Sequence, residues 1–579
     1  MAKKSRPKDL TIIVRDGNQL RRTFMQTPNG NIIAYFTMEV GLSSEIPIYS
    51  GGLGILAADT LRAAADLGIP FVGVTLLNRR GYYKQSLTPE GKQIEELDEW
   101  DPSKYLTKLP TEVTVGLEGR SVKVGAWKLE VKGVDGSRVP LIFLDTNLDA
   151  NTAIDREITS LLYGDDRAYR LKQEAILGIG GVRMLDTLGY SVKKYHMNEG
   201  HTSFVALELL RRYEMDAEAV RRRCVFTTHT PTNSAHDIFH YDLVKSILGD
   251  ILPEEHLRRY GGHDALNMTL LGLNLSGFVN GVSKKHAEVS KQLFPNHDIK
   301  AITNGVHSYT WVCRSLRALY DKYLPGWSKE PELLSRVDII PSDELWEAHM
   351  EAKKELIDFV NQKTSNNLTY DALTIGFARR ATGYKRHTLV FSDLRRLKKI
   401  GKVNKLQIIM SGKAHLNDIY GKEMIEVVHR HMKELSGCIK TAYLENYNIS
   451  IAAKMVAGCD VWLNTPLPPY EACGTSGMKA AHNGVLNFSV LDGWWLEGWV
   501  ENVTGWAIGP HPDAQISAEE RYMKELEDLY AKLEYIILPK YYKARGEWIN
   551  MMKNSIKILA PRFNTNFMLH KYVVSAYLQ

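Results

Sequence analysis

The sequence predicts an α/β protein of two doubly wound domains with a cleft between them. Three observations carry this. The chain of 579 residues is longer than a single core usually grows, which is about 250–300 residues. Short apolar runs alternate with segments of helical period, the pattern of a parallel sheet covered by helices. One polar, Asn-rich stretch, Gln362–Tyr370, follows a charged helical pattern and reads as a boundary.

In the first part, Ile32–Met38, Phe71–Leu77, Val139–Leu144, Cys224–Thr228 and Phe278–Val282 read as strands. Leu53–Leu67 and Ser203–Tyr213 read as helices, the first with Leu53, Leu56, Ala57, Leu61 and Ala64 on one face. Glu344–Val360 is a charged helix that runs up to the polar stretch. This places one domain at residues 1–370 and a second at 371–579. The second opens with Ala372–Ala378 as a strand, followed by a helix over His387–Ile400, a strand over Lys405–Ser411 and a helix over Lys422–Glu434. Ile439–Leu444, Val461–Asn464 and Gly484–Val490 are further strands, with helical segments between them. After Ser517 come two long helices and a tail, whose docking partner periodicity does not reveal. In open parallel sheets ligands bind at the carboxyl ends of the strands, so the cleft between two such sheets is the expected site.

Composition narrows the class. Apolar residues make up 44% and charged residues 24%, as in soluble globular proteins, which excludes a disordered, collagen-like or membrane-embedded chain. With 73 Lys plus Arg against 67 Asp plus Glu, the formal charge of +6 gives no reason to expect a nucleic-acid or membrane partner. The five cysteines are odd in number and never at CxxC spacing, so neither a disulfide framework nor a structural zinc is expected. The basic start, MAKKSRPKDL, is followed by Thr11–Val14, too short for a signal core. No apolar run reaches the ~20 residues needed to cross a bilayer. A cytoplasmic protein is the expectation.

Several motifs suggest anion chemistry. Ser50–Ala57 is a glycine loop opening a helix, which presents free amides and a positive dipole end to an anion; a simple tight turn fits it as well. The acidic residue of a nicotinamide fingerprint is missing, because Phe71–Leu77 ends in Asn78-Arg79-Arg80. Gly376–Arg386 puts Arg379, Arg380, Lys385 and Arg386 at a strand's carboxyl end. There they would bind phosphate, against the alternative of a solvated basic turn. Glu471–Ala481 is a second glycine-rich turn into a helix. It is not a Walker A loop, but Thr475, Ser476 and the amides after them could hold a phosphate. Lys479 lies in that helix's first turn, where a cation is unfavourable unless it neutralises an anion or forms an imine. His229 ends an apolar strand and faces the cleft, against the alternative that a lone histidine is more often structural, and the same alternative stands for His196 and His201. His236 and His240 have helical spacing without the Glu of HExxH, a weak zinc signal. No pair of acidic residues marks a glycoside hydrolase.

Together, Tyr49–Leu56, Asn198–Thr202, Thr228–Pro231, Ile302–Trp311, Gly376–Arg386, Glu445–Lys454 and Glu471–Gly484 closely resemble the α-glucan phosphorylases. The resemblance is to their shorter prokaryotic-type branch and runs from about Ile33 to Trp506. It implies a GT-B type fold of two Rossmann-like domains. It also implies pyridoxal 5′-phosphate as a covalent imine on Lys479, and reversible phosphorolysis of the terminal glucose of an α-1,4-glucan to α-glucose 1-phosphate. In the family the cofactor's phosphate exchanges a proton with the substrate phosphate, so two dianions lie close together and need cations and N–H dipoles around them. Carried over by position, Arg380 and Lys385 would hold the substrate phosphate with the Gly51 amide. Gly52, Thr475, Ser476 and Arg379 would hold the cofactor phosphate, and Tyr447 and Trp311 would flank the cofactor. Glu471, Asn304 and His229 would grip the terminal glucose, with Leu53 and Gly474 beside it and Glu199 and His201 towards the glucan. No metal is implied.

Some positions depart from the family pattern. Cys473 stands for Ser, Arg379 for Lys, Asn448 for Arg, and Pro466–Pro469 for small residues. The chain is expected to lack the N-terminal regulatory extension of the longer members. Glucan and inorganic phosphate are the expected partners, and the oligomeric state stays open, a homodimer included. Two other readings compete: a sugar-nucleotide glycosyltransferase of the glycogen-synthase kind, and a non-catalytic glucan-binding protein.

Overall fold

The computed structural model describes residues 32–579 except 165, 233–235 and 252. The basic start and its Thr11–Val14 run lie outside the described residues. The first part is built on a nine-stranded sheet. Its order is Lys300–Ala301, Phe278–Gly281, Cys224–Thr227, Val192–Asn198, Ile32–Phe36, Phe71–Leu76, Arg138–Asp145, Arg120–Lys132 and Thr107–Leu117. Pairing is parallel as far as Arg138–Asp145 and antiparallel beyond it. The central parallel strands are covered on both faces and largely apolar: every residue of Phe71–Leu76 is buried.

The antiparallel edge hairpin was not foreseen. Its strands alternate buried and exposed residues, and it turns through Glu118 and Gly119, both at positive φ, as a tight hairpin requires. Val192–Asn198 also went unread, because Lys193 and Lys194 interrupt its apolar run. The Gly52–Asp66 helix is rich in alanine, the best helix former, and Gly68 at φ +61° ends it.

The second sheet has six parallel strands in the order Lys440–Leu444, Leu406–Ser411, Leu373–Ala378, Val461–Asn464, Leu486–Val490 and Gly505–Ile508. Counted along the chain this is 3-2-1-4-5-6, the doubly wound order with its switch point between the first and fourth strands. The 379–386 turn leaves the first of these strands at that point. The predicted His387–Ile400 helix is replaced by a short turn and a helix over Leu394–Val403.

A boundary at 370 does not separate the cores. Val312, Leu316, Trp327 and Leu345 pack with Leu373 and Ile375 of the second sheet. Leu356, Ile357 and Val360, on the Ser342–Thr364 helix, pack with Met455 and Trp462. The chain thus enters the second core well before its first strand, because these helices carry apolar faces that only the second sheet covers. The tail crosses back. Met568, Leu569, Tyr572 and Tyr577 pack with Ile33, Tyr35 and Phe71 of the first sheet. There His196 Nδ1 lies 2.6 Å from Tyr577 Oη, and Asn280 Nδ2 donates to Tyr572 Oη at 2.9 Å. Among the described residues no helix is long and apolar enough to cross a membrane.

Candidate active site

The carboxyl ends of both sheets face each other. The parts are held across the gap by backbone-reading side chains: Gln85 and Asn446 each accept the other's backbone N–H, at 3.2 and 2.9 Å. Tyr49 Oη accepts the Ile449 N–H at 3.1 Å. The glycine loop, the 379–386 turn and the 471–479 turn meet in this cleft.

The loop precedes a helix whose N-terminal residue, Gly51, offers no side-chain cap, so the first-turn amides lack intrahelical partners. Glu39 closes the loop from behind. Its Oε2 accepts N–H bonds from Ser50 at 2.5 Å and Gly51 at 3.2 Å, and its Oε1 accepts from Tyr163 Oη at 3.1 Å. Burial raises the Glu39 carboxyl above its ordinary range in spite of these donors. A Cβ added at Gly51 or Gly52 would meet nothing within 4 Å, so both face open cleft. Leu53 is half-buried beside them.

Glu471 gathers the basic turn. Arg379 Nη2 lies 2.7 Å from its Oε2, and Lys385 Nζ lies 2.9 and 2.7 Å from its two oxygens. Burial raises the Glu471 carboxyl, but the two cations outweigh it and bring it down to about 2. The structure thus joins two expected phosphate ligands to an expected glucose ligand. Arg379 Nη1 remains buried without a partner. Arg380 is exposed and has no ion pair among the described residues. Gly474 at φ +84° allows the chain to fold back against Glu471, where a Cβ would come 3.1 Å from Oε1. Asp492 holds this turn from below, accepting the Glu471 N–H at 2.9 Å, and burial pushes its own carboxyl up to about 7.

Lys479 lies on the Ser476–His482 helix and is 7% exposed. Its Nζ sits 3.8 Å from the centroid of the Trp311 ring and, among the described residues, has no carboxylate in contact. Burial lowers the ammonium to about 8, with Asp59 opposing the shift. Thr475 precedes this short helix without a side-chain capping bond, and Ser476 Oγ accepts the Trp462 Nε1–H at 3.0 Å. Tyr447 is half-buried, and burial raises its phenol.

On the opposite wall, His229 Nε2 is 2.7 Å from Asn198 Oδ1. Burial lowers the imidazole well below its usual value, so the ring is neutral and Nε2 carries the proton. Glu199, at φ +80°, accepts the His229 N–H at 2.6 Å and the Thr230 Oγ1–H at 3.0 Å. It therefore shapes the 229–230 turn. His201 lies deeper, its Nε2 without a partner, and burial lowers it to about 3. Asn304 is buried with Oδ1 unpartnered.

The His236–His240 spacing is not helical, since His240 ends the Ile238–His240 strand and His236 Nδ1 bonds Thr269 Oγ1 at 2.8 Å. Among the described residues no three His, Cys, Asp or Glu side chains group as metal ligands. Sequence reasoning missed Glu39, Asp59, Asn198 and Asp492. Asp59 had a visible signal: a carboxylate on the buried stripe of an alanine-rich helix.

The carbohydrate phosphorylase family model matches residues 255–504, and the starch synthase catalytic domain model matches residues 36–300. The chain is 41% identical to maltodextrin phosphorylase of Thermococcus litoralis, over 94% of this chain and 70% of that protein. It is 37% identical to glycogen phosphorylase of Aquifex aeolicus, over 94% and 86%. It is 36% identical to glycogen phosphorylase of Mycobacterium tuberculosis, over 94% and 70%. Likeness at this level, along nearly the whole chain and most of each relative, has one meaning: the chain belongs to the α-glucan phosphorylase family.

Proposed function

We propose that this protein is an α-1,4-glucan phosphorylase, transferring the non-reducing terminal glucose of a glucan to inorganic phosphate with pyridoxal 5′-phosphate bound at Lys479. The observation that carries this reading is Lys479 itself. A buried lysine with no carboxylate partner among the described residues, lowered to about 8 and laid over an indole, suits an amine that attacks an aldehyde. The surrounding residues suit the rest of the group: Arg379 Nη1 is a buried donor without an acceptor, and Gly51 and Gly52 leave open cleft where side chains would intrude.

The chain's own residues divide between two anions. Arg380 and Lys385, with the Gly51 amide, would receive inorganic phosphate. Gly52, Thr475, Ser476 and Arg379 would hold the cofactor's phosphate, and Trp311 and Tyr447 would bracket its ring. When bound, the cofactor supplies a phosphate acid that exchanges a proton with the substrate phosphate. Glu471 and Asn304 would hold the sugar hydroxyls. His229, fixed by Asn198, would place its ring against the glucose and its backbone carbonyl towards the charge developing at the anomeric carbon. Glu199 and His201 would support that wall on the glucan side. The Glu471 carboxylate occupies Lys385 until phosphate competes for the cation, and Glu39 occupies the Gly51 amide in the same way. The five cysteines are free thiols, which supports a reducing compartment such as the cytoplasm.

The starch synthase match over 36–300 favours a sugar-nucleotide transferase as the second reading. That chemistry requires no buried lysine at 479. Incubation with maltoheptaose and inorganic phosphate, with and without added cofactor, separates the two. Release of glucose 1-phosphate supports the phosphorylase. Glucan extension from a sugar nucleotide, without phosphorolysis, supports the synthase.

A further inference from the structure

We propose that Asp59 is a positioning residue for Lys479, acting through the indole of Trp311. The proposal rests on the reading of Lys479 as the cofactor lysine. Asp59 is 1% exposed on the Gly52–Asp66 helix, on a face it shares with the buried Ile55, Leu56 and Ala63. A charge there is costly unless it is well paired, yet among the described residues its one cationic contact is Arg62 Nη1 at 3.4 Å. Its short bonds go to neutral donors: Oδ2 accepts the Trp311 Nε1–H at 2.7 Å and the His307 backbone N–H at 3.1 Å. The carboxylate therefore anchors both the indole and the turn that leads into it. The face of that indole supports Lys479 Nζ at 3.8 Å from its centroid.

This geometry has an electrostatic consequence. A carboxylate accepting the indole N–H polarises the ring and strengthens its hold on a cation. Asp59 is also the charge that opposes the burial of the Lys479 ammonium. It thus fixes where Nζ lies and sets the pH at which Nζ becomes a free amine. The other titratable groups around the stack are engaged elsewhere. His307 Nε2 lies 2.7 Å from Asp66 Oδ2 and its Nδ1 2.6 Å from Thr310 Oγ1. His482 bonds Ser308 Oγ at 3.0 Å and the Met478 carbonyl at 2.7 Å, and burial takes it down to about 4, so it stays neutral above that.

The test titrates Lys479 without the cofactor. Full-length protein freed of pyridoxal phosphate is trace-labelled with acetic anhydride between about pH 6 and pH 10, and acetylation of the Lys479 peptide is read by mass spectrometry. Wild type should half-label near pH 8. Asp59→Asn, which keeps an acceptor for the indole but not the charge, should move that midpoint down by about one unit. Trp311→Phe should lower it as well, and in that background Asp59→Asn should shift it by less than it does alone. An unchanged midpoint in Asp59→Asn, with native near-UV circular dichroism, would overturn the proposal. Fully additive shifts would overturn the route through Trp311. If Asp59→Asn loses its native near-UV signal, Trp311→Phe alone decides, and an unmoved midpoint there refutes the idea. Failure of the cofactor reading looks different: Lys479 titrates as described, but the protein captures no pyridoxal phosphate.

Discussion

Lys385 Nζ lies 2.7 and 2.9 Å from the two carboxylate oxygens of Glu471, bridging the basic turn of one strand to the glycine-rich turn of another. Arg379 adds a third charge to the same carboxylate. Burial raises the Glu471 carboxyl and the two cations lower it further, to about 2. Its folded value lies below its unfolded one. The pair therefore stabilises the fold above about pH 4.5 and loses that contribution as the pH falls towards 2. Glu471→Gln leaves two buried cations uncompensated. It should cost about 3–5 kcal/mol at neutral pH and distinctly less at pH 3, as read by denaturant midpoints at both pH values.

Among the described residues, Arg380 has no ion pair, unlike Arg379, Lys385 and Arg386 of the same turn. Arg380→Ala should raise KM for phosphate and lower kcat/KM by about 10²–10³, while maltooligosaccharide binding to the free enzyme changes little. Equal loss of glucan affinity, measured by calorimetry, would make Arg380 a structural residue.

The Ser342–Thr364 helix is locked to the second sheet by a buried polar cluster. Lys353 Nζ lies 2.6 Å from Asp460 Oδ2 and 2.9 Å from Tyr541 Oη, and His349 Nε2 lies 2.9 Å from Asp460 Oδ1. Asp460→Ala strands a buried ammonium and should destabilise the protein by about 3–5 kcal/mol. Lys353→Met with Asp460→Leu, which removes both charges, should recover part of that loss in the same denaturation assay.

The returning tail should be essential to the first sheet rather than the second. Removing residues 565–579 uncovers Ile33, Tyr35 and Phe71 and discards Tyr572 and Tyr577. Each large side chain withdrawn from water contributes about 1.5–3 kcal/mol. The truncated chain should aggregate or bind a hydrophobic dye, with exchange protection lost first in the Ile32–Phe36 and Val192–Asn198 strands.

Five of the six strands of the second sheet were legible because they are short, apolar and regularly spaced; the edge strand Gly505–Ile508 was not read. Val461–Asn464 matches to the residue, and Lys405–Ser411 differs by one position. The first sheet was harder. Its antiparallel edge alternates polar with apolar residues, and lysines interrupt Val192–Asn198, so neither shows as an apolar run. The packing across residue 370 was hidden for a related reason. An amphipathic helix shows which face it buries, not which sheet it buries that face against. Periodicity therefore could not tell that Leu356 and Val360 join the second core, or that Tyr577 returns to the first.

At the site, the glycine loop, the basic turn and Lys479 could be read directly, since each breaks a local rule: free amides, clustered cations, a cation at a helix start. The residues that support them could not. Asn198 and Asp492 are ordinary polar residues after strands, and their bonds to His229 and Glu471 exist only once the chain is folded. Glu39 sits in an apolar stretch, and only its bonds to the Ser50 and Gly51 amides connect it with the loop.

The account depends above all on Lys479 being the residue that receives pyridoxal 5′-phosphate. Borohydride reduction of the purified holoprotein followed by peptide mapping tests it most directly. The account predicts one pyridoxyl group, on Lys479, and its absence in Lys479→Ala, together with loss of phosphorolysis. A pyridoxyl group on another lysine, or phosphorolysis by protein with no label at all, would contradict it.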